Sequence, residues 1–175
     1  MPANDKAVNE NECLFCSIAQ RRVDSIIISE TEKSLAFLDI KPAAPGHAIL
    51  IPKKHYQIMQ QMEDDDISEL FVHAQTISHS MLIGLSNEGY NGTSILVCQG
   101  QTAGQRASHL MVHIIPQKDD SHVLKWDSYK EDEQKVYDTA QAIKKRVYDK
   151  PDKKDSEEHK NTDLDALTKS LGGHK

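Results

Sequence analysis

Residues 108–116, Ser-His-Leu-Met-Val-His-Ile-Ile-Pro, decide the fold that the sequence predicts. Their apolar and β-branched side chains predict a strand. Side chains alternate between the two faces of a strand, so three apolar residues point towards a core: Leu110, Val112 and Ile114. The other face carries His109, Met111 and His113 side by side. Core packing does not require two imidazoles around a thioether, so this face is the first candidate for a functional site.

A Gly-rich turn, GQTAGQRA, precedes this strand at residues 100–107. Backbone N–H groups in such a turn can form an anion-binding nest, and the guanidinium of Arg106 can add a charge-assisted contact to a phosphate. A turn of this kind taken alone is better explained as an ordinary hairpin connection. Its place directly before a histidine-bearing strand favours a phosphate held over imidazoles.

The composition excludes several classes of function. A chain of 175 residues is long enough for one domain with its own core. The net charge of −6 argues against a dedicated nucleic-acid binder, which needs a basic surface. The sequence has no apolar run of membrane-spanning length, and polar residues 1–11 lack the apolar stretch of a signal peptide. We therefore expect a cytoplasmic protein without nucleic-acid or membrane partners.

Local patterns predict an α+β fold with a mainly antiparallel sheet. We expect a flexible leader at residues 1–11, one domain at 12–149 and a charged, disordered tail at 150–175. The predicted strands cover residues 25–29, 34–40, 47–52, 93–99 and the histidine stretch. The predicted helices are a short one at 12–21, a long one from 64–66 to about residue 82, and a charged one at 129–148.

The long helix has one apolar face, formed by residues at helical spacing: Ile67, Leu70, Phe71, Ala74, Ile77, Met81 and Leu82. His79 lies opposite this face and His73 flanks it, so we expect both imidazoles to be solvated. Neither is then a candidate ligand or catalyst.

The chain has three cysteines, and two of them form the tight pair Cys13 and Cys16. An odd number with one CxxC pair fits a reducing compartment and metal binding better than a disulfide framework. The two thiolates can share a zinc ion with His55 and His109, which would complete a closed, structural Cys₂His₂ site. The pair can instead be redox-active or two small buried hydrophobes. A copper(I) site on His109, Met111 and His113 is a further alternative.

Six motifs between about residue 13 and about residue 126 are together very specific, although none is so alone: CLFC (13–16), AFLDI (36–40), PGH (45–47), IPKKH (51–55), AGQ (103–105) and HxxxHIIP (109–116). By these motifs the chain resembles the histidine triad (HIT) proteins, specifically their bacterial and archaeal branch. The resemblance implies a five-stranded antiparallel sheet with one long and one short helix, usually paired as a homodimer. It also implies nucleotide binding, chemistry at the α-phosphate and, in the branch with this CxxC pair, structural zinc.

The resemblance assigns the parts of a nucleotide site to residues of this chain. Asp39 would bind the ribose hydroxyls, and His47 would line the phosphate site. The base pocket would be formed by Phe15, Ile18, Phe37 and Ile40. Phosphate contacts that relatives make with other residues would be remade by Gln99, Gln105 and Arg106. Without the resemblance, Asp39 would be interpreted as an ordinary turn residue at the end of a strand. The four apolar residues of the predicted base pocket would be interpreted as ordinary core residues.

Met111 stands where the family's middle histidine attacks phosphorus and carries the nucleotidyl group. A thioether cannot act as that nucleophile at neutral pH and cannot shuttle a proton. A hydrolase or transferase of nucleoside phosphoramidates or dinucleoside polyphosphates would then need attack by water, with His113 or His47 as general acid or base. The alternatives are a catalytically silent nucleotide-binding sensor or interaction module, and a divergent copy of an active ancestor.

Overall fold

The computed structural model describes residues 13–119 and 129–148. Within these ranges one sheet has five strands: β1 (Ile27–Glu30), β2 (Ser34–Leu38), β3 (Ala48–Pro52), β4 (Gly92–Leu96) and β5 (Val112–Gln117). The same ranges contain three α-helices: α1 (Leu14–Ala19), α2 (Asp64–Gly84) and α3 (Glu133–Tyr148). The strand order is β1-β2-β3-β5-β4 and each neighbouring pair is antiparallel. The predicted α+β fold, with one short and one long helix on an antiparallel sheet, is confirmed.

The histidine strand begins at Val112, later than its sequence pattern suggests. The reason lies in the preceding backbone, where the N–H of Leu110 donates to the carbonyl of Tyr56 at 2.6 Å, outside the sheet. The predicted alternation still holds, because Leu110 packs in the same core cluster as Val112 while Met111 packs against the cluster on the other face. The segment 109–111 therefore continues the pleat of β5 without pairing to β3 or β4.

Two hydrophobic clusters cover the two faces of the sheet, as strand alternation requires. One lies between the sheet and α2, and its buried members include Ala36, Leu50, Leu70, Ile77, Leu110, Val112 and Ile114. The other lies against α1 and contains Ile18, Leu35, Phe37, Ile49 and Ile51, with Phe15 and Met111 packed beside it. Burial of aliphatic side chains of this size contributes roughly 1.5–3 kcal/mol each.

The long helix differs from the sequence prediction at two positions. His73 is buried, with 5% of its surface exposed, because its ring nitrogens lie within hydrogen-bonding distance of Ser29 and Ser34 on the neighbouring strands. The expectation that His73 is solvated is therefore wrong, whereas His79 is exposed as expected. Phe71 stays 38% exposed and lies outside the buried face.

Helix α3 begins at Glu133 because the Asp132 carboxylate accepts the N–H groups of Gln134 and Lys135 at 3.0 and 3.2 Å. It belongs to a second compact unit of the chain, distinct from the unit that holds the sheet. No helix in the described ranges is long and apolar enough to cross a bilayer. The predicted leader and tail lie outside the described residues, so the domain boundaries stay predictions.

Candidate functional site

A pair of histidines lies where β3 and β5 run side by side. His113 is on β5 opposite Ile49, and His47 directly precedes β3. The Nε2 atom of His47 lies 3.0 Å from the Nδ1 atom of His113, and the ring centroids are 5.2 Å apart. The antiparallel register between the two strands brings these residues together across 66 positions of sequence.

The hydrogen bonds of the pair fix where its protons lie. The backbone N–H of Ala43 donates to His47 Nδ1 at 3.1 Å, so this nitrogen must carry a lone pair. A neutral His47 then holds its proton on Nε2 and donates it to Nδ1 of His113. His113 in turn holds its own proton on Nε2. In this arrangement Nε2–H of His113 is the group left for a ligand.

Burial lowers the pKa of both imidazoles. Desolvation is the largest cause for His47, and the neighbouring His113 lowers its pKa further. For His113 desolvation again dominates, Asp39 raises the pKa and Arg106 lowers it. Because both pKa values lie below the ordinary 6.5, the pair is mainly neutral at pH 7.

Asp39 lies beside the pair at the end of β2. Its Oδ1 atom accepts the backbone N–H of Lys41 at 2.9 Å, and its Oδ2 atom lies 3.6 Å from Nδ1 of His47. Donor atoms of Asp39, His47 and His113 lie within 4.8 Å of one another, a spacing that a metal ion can use. However, Nδ1 of His47 accepts the N–H of Ala43, and Nε2 of His47 and Nδ1 of His113 bind each other, so hydrogen bonds already use three of the four ring nitrogens.

A cavity of about 600 Å³ opens onto the pair. It is lined by seven of the residues predicted for the site: Phe15, Asp39, Ile40, His47, Gln105, Arg106 and His113. Met111, at the substituted nucleophile position, also lines it. Ile40 is 91% exposed, which places it at the rim of the cavity. A volume of this size suits a small organic ligand.

Three residues predicted for the nucleotide site do not line this cavity. Ile18 and Phe37 are buried in the hydrophobic cluster against α1, where Phe37 stacks on Phe15 with ring centroids 6.4 Å apart. The side-chain oxygen of Gln99 accepts the backbone N–H of Met59 at 2.7 Å, so it is used to hold the chain. Ile18 and Phe37 therefore support the fold by packing, and Gln99 supports it through its hydrogen bond to the backbone of Met59.

Gln105 lines the cavity, but its amide is already committed to the protein. Its Oε1 accepts the N–H of Gly100 at 2.8 Å, and its Nε2 donates to the carbonyls of Gln57 and Ala107 at 2.8 and 3.0 Å. Gln105 therefore holds the 100–107 turn in shape. The adjacent Gly104 has φ +91°, a left-handed conformation that side chains with a Cβ rarely adopt.

His109 is fully buried and, unlike Met111 and His113, does not line the cavity. Its Nδ1 atom is 3.4 Å from Sγ of Cys13 and 3.6 Å from Sγ of Cys16. The alternative copper(I) set of His109, Met111 and His113 is therefore not assembled, because the ring of His109 turns towards the two thiols. Its Nε2 lies 3.0 Å from the carbonyl of Pro52, which requires Nε2 to carry the proton and leaves a lone pair on Nδ1.

The predicted metal ligands do converge. Sγ of Cys16 is 3.2 Å from Nδ1 of His55, and the donor atoms of Cys13, Cys16, His55 and His109 all lie within 4.8 Å of one another. Tetrahedral zinc with S and N ligands separates adjacent donors by about 3.6 Å. Burial lowers the pKa of His109 to about 4, so its ring is neutral and suited to bind a cation. The four residues fit zinc by donor type and spacing.

Two groups at the site could not be predicted from the sequence. Ala43 fixes the tautomer of His47 through its backbone N–H alone. Cys98, the third free cysteine, lines the cavity although no pattern in the sequence points to it. Only the folded chain brings these groups to the histidine pair.

Comparison with known proteins agrees with this geometry. The model of the HIT domain matches residues 20–120. An uncharacterised HIT-like protein of Methanocaldococcus jannaschii is 36% identical, over 67% of this chain and 89% of its own. An adenosine 5′-monophosphoramidase of Schizosaccharomyces pombe is 33% identical, over 67% of this chain and 84% of its own. The structure of a zinc-bound histidine triad family protein from Mycobacterium smegmatis matches 79% of this chain and 99% of its own, with 25% identity and a TM-score of 0.61.

Proposed function

The chain belongs to the HIT-domain family, and on that premise we propose that it binds a nucleoside monophosphate unit and hydrolyses or transfers it at the α-phosphate. The observation that carries the proposal is the hydrogen-bonded pair His47–His113, which lines a cavity of about 600 Å³ and leaves Nε2 of His113 outside the bond within the pair. A relative in this family is named for action on adenosine 5′-monophosphoramidate, so phosphoramidates are the first substrates to test.

The proposed ligand pose uses the groups that line the cavity. The phosphate lies beside His113 and Arg106, where an imidazole N–H and a guanidinium can both donate to its oxygens. The ribose lies on Asp39, whose Oδ2 atom lies 3.6 Å from Nδ1 of His47. The base lies between Phe15 and Ile40 at the outer wall.

The proton arrangement favours a general acid over a general base. Both nitrogens of His47 and Nδ1 of His113 are occupied by hydrogen bonds, so no basic nitrogen of the pair faces the cavity. Once the pair binds one proton, Nε2 of His113 can give it to the leaving nitrogen as the P–N bond breaks. Water then forms the new P–O bond and releases a proton to solvent, so atoms and charge balance. With Met111 in the nucleophile position, this route has no covalent nucleotidyl intermediate.

We infer that Cys13, Cys16, His55 and His109 hold zinc, supported by the donor set and by a zinc-bound family member. Bound zinc would cross-link α1 to the segment before β5 and supply no open position for catalysis, because four protein ligands close the site. The cytoplasmic location and the homodimer expected from the sequence stay predictions.

The test of the proposed pose compares ligands that differ in the ribose. Asp39→Ala should weaken binding of adenosine monophosphate by roughly tenfold, as loss of a charge-assisted hydrogen bond does, and leave inorganic phosphate affinity nearly unchanged. Isothermal titration measures both, and Asp24→Ala, an exposed carboxylate outside the cavity lining, is the matched control. Equal losses for both ligands would place the ribose elsewhere.

Catalysis is tested separately by turnover of adenosine phosphoramidate in the same protein. Measurable turnover that His113→Ala abolishes, while adenosine monophosphate still binds, supports the enzyme. Tight nucleotide binding without any turnover would favour the sensor or interaction module, because the pocket would then serve recognition alone.

A further inference from the structure

A second set of reactive side chains lies where α2 meets the first two strands. His73 of α2 is buried, and its Nε2 atom is 2.8 Å from Oγ of Ser29 on β1. Its Nδ1 atom is 2.7 Å from Oγ of Ser34 on β2. Ser34 also reaches the Glu69 carboxylate, at 3.1 Å. None of these four residues lines the cavity of the histidine pair, so they have no part in the function proposed above.

The hydrogen bonds give this chain of groups a direction. Ser34 has one proton, and the Glu69 carboxylate is the strongest acceptor in its reach, so the hydroxyl donates there. Towards His73 the same oxygen is then an acceptor, which places the ring proton on Nδ1. The Nε2 atom keeps its lone pair and accepts the hydroxyl proton of Ser29. A base whose lone pair faces a serine hydroxyl, with its other nitrogen anchored towards a carboxylate, is the arrangement that activates a serine nucleophile.

The charge state of the ring suits this role. Burial lowers the pKa of His73, so the imidazole is mainly neutral and basic at pH 7. Glu69 opposes the shift and raises the pKa, which stabilises the imidazolium that forms when the ring takes a proton. Thr31 also donates to Glu69, so the carboxylate is held by two hydroxyls.

Ser29 opens onto a cavity of its own. The cavity holds about 370 Å³, and its apolar wall is made by Ile28, Leu38, Ile77, Met81 and Leu85. The described residues that line it carry no charged side chain, so an uncharged, apolar ligand fits. The register between β1 and β2 slips between Ile27 and Ser29, and bulges of this kind re-aim side chains next to reactive sites.

From this geometry we propose that Ser29, His73, Ser34 and Glu69 form a second reactive site, in which Ser29 is a nucleophile that accepts the acyl group of short uncharged esters. The Oγ atom forms a bond to the ester carbonyl carbon while its proton passes to Nε2 of His73. The C–O bond to the alcohol breaks, and the alcohol leaves with that proton. Water, deprotonated by the same nitrogen, then cleaves the seryl ester to the free acid and restores the hydroxyl.

The test uses the full chain and a fluorophosphonate probe, an electrophile that reacts with activated serines. Peptide mass spectrometry should locate the adduct on Ser29, and Ser29→Ala should abolish it. His73→Gln should slow labelling and p-nitrophenyl butyrate hydrolysis by roughly a hundredfold, as loss of a positioned base does. Ser68→Ala is the matched control, because Ser68 lies on the same helix as His73 but outside the cavity lining and donates to the carbonyl of Asp64 at 2.8 Å, and its loss should change neither rate. Ser80, which lines the cavity and donates to the carbonyl of Thr76 at 2.9 Å, should stay unlabelled.

A folding defect in the His73 variant is separated from a chemical one by Glu69→Gln. This variant keeps the imidazole and its two serine partners, and it should lower the labelling rate while the melting temperature stays within a few degrees of the native value. An adduct on Ser80 or at random sites overturns the proposal. So does a labelling rate that both Glu69→Gln and a folded His73→Gln leave unchanged.

Discussion

At the scale of single residues, Met111 decides which chemistry the histidine pair can perform. The residue lines the cavity beside His113, but its thioether offers phosphorus no nucleophile. What the pair offers is a hydrogen-bond donor, Nε2–H of His113, held in place by His47 and the backbone of Ala43. Positioning and proton donation remain when the nucleophile is lost, and from these terms alone we expect slow catalysis.

Met111→His should restore the missing nucleophile. Both side chains fit a half-buried position, so the segment before β5 keeps its place, and phosphoramidate turnover should rise by roughly a hundredfold or more. A nucleotidyl adduct on the new imidazole should be detectable by mass spectrometry after rapid acid quench.

The control for this change is Met111→Leu, which removes the sulfur and keeps the volume. It should leave turnover near the native rate, because the thioether takes no part in the reaction. A native protein that already forms an adduct on another histidine would contradict this assignment of the nucleophile position.

The pH dependence of native turnover follows from the lowered pKa of His113. Burial disfavours the imidazolium, so the acid form of the pair is scarce at pH 7 and grows as the pH falls below 6.5. We therefore expect kcat to rise from pH 7.5 to pH 5.5, measured under substrate saturation. His113→Gln should flatten this profile, and a native rate that rises with pH instead would show that the pair acts as a base.

At the scale of secondary structure elements, periodicity predicted the sheet, both of its faces and the long helix. It failed at positions that distant partners decide. His73 appears polar on a helical wheel, but Ser29 and Ser34 on other strands satisfy both of its ring nitrogens and bury it. The start of β5 shifts because Leu110 binds the carbonyl of Tyr56. Local patterns contain no information on such long-range partners.

At the candidate site, too, the sequence predicted some residues correctly and failed where distant partners decide the contact. The motifs assigned Asp39, His47, Arg106 and His113 to one site, and all four residues line the same cavity. A motif can predict such a grouping because its residues are positioned by the same long-range packing in every protein that shares the fold. The resemblance also predicted that Gln105 contacts the phosphate. In the structure its side-chain amide instead makes three hydrogen bonds to backbone groups and holds the turn. Which polar group binds a ligand and which binds the chain depends on distances that only the folded structure supplies.

The cluster of Cys13, Cys16, His55 and His109 links α1 to the segment before β5, and it should hold one zinc ion per chain. Cys13→Ser should release the metal and lower the melting temperature by at least ~5 °C, because metal binding free energy adds to the free energy of unfolding. Metal content by atomic emission and a thermal melt provide the measurement.

Cys98→Ser is the matched control for this change, since Cys98 lies outside the cluster. It should leave both the metal content and the melting temperature unchanged. Native protein without zinc, together with a stable Cys13→Ser variant, would assign the two thiols to apolar packing instead.

At the scale of the whole molecule, we expect the chain to form a homodimer. β4 is an edge strand and exposes Ile95, while α2 exposes Val72 and Ile83. A second subunit that covers such surfaces would bury apolar area and pair the edge. Light scattering at micromolar concentration should give about twice the chain mass of 19.7 kDa.

Ile95→Lys places a charge on this edge and should shift the equilibrium towards the monomer without unfolding the domain. A native protein that is already monomeric at micromolar concentration would contradict the expectation. The sheet edge would then be a surface that the chain leaves to solvent.

Cys13 and His109 are 96 positions apart in the sequence, so they leave the ribosome at different times. A ribosome adds roughly 5–20 residues per second, so the two thiols emerge about 5–20 s before the imidazole that completes their cluster. During that interval they are open to peroxide, to disulfide exchange and to soft metal ions. The nascent chain therefore passes through a window of chemical vulnerability that the finished molecule, with both sulfurs buried, no longer has.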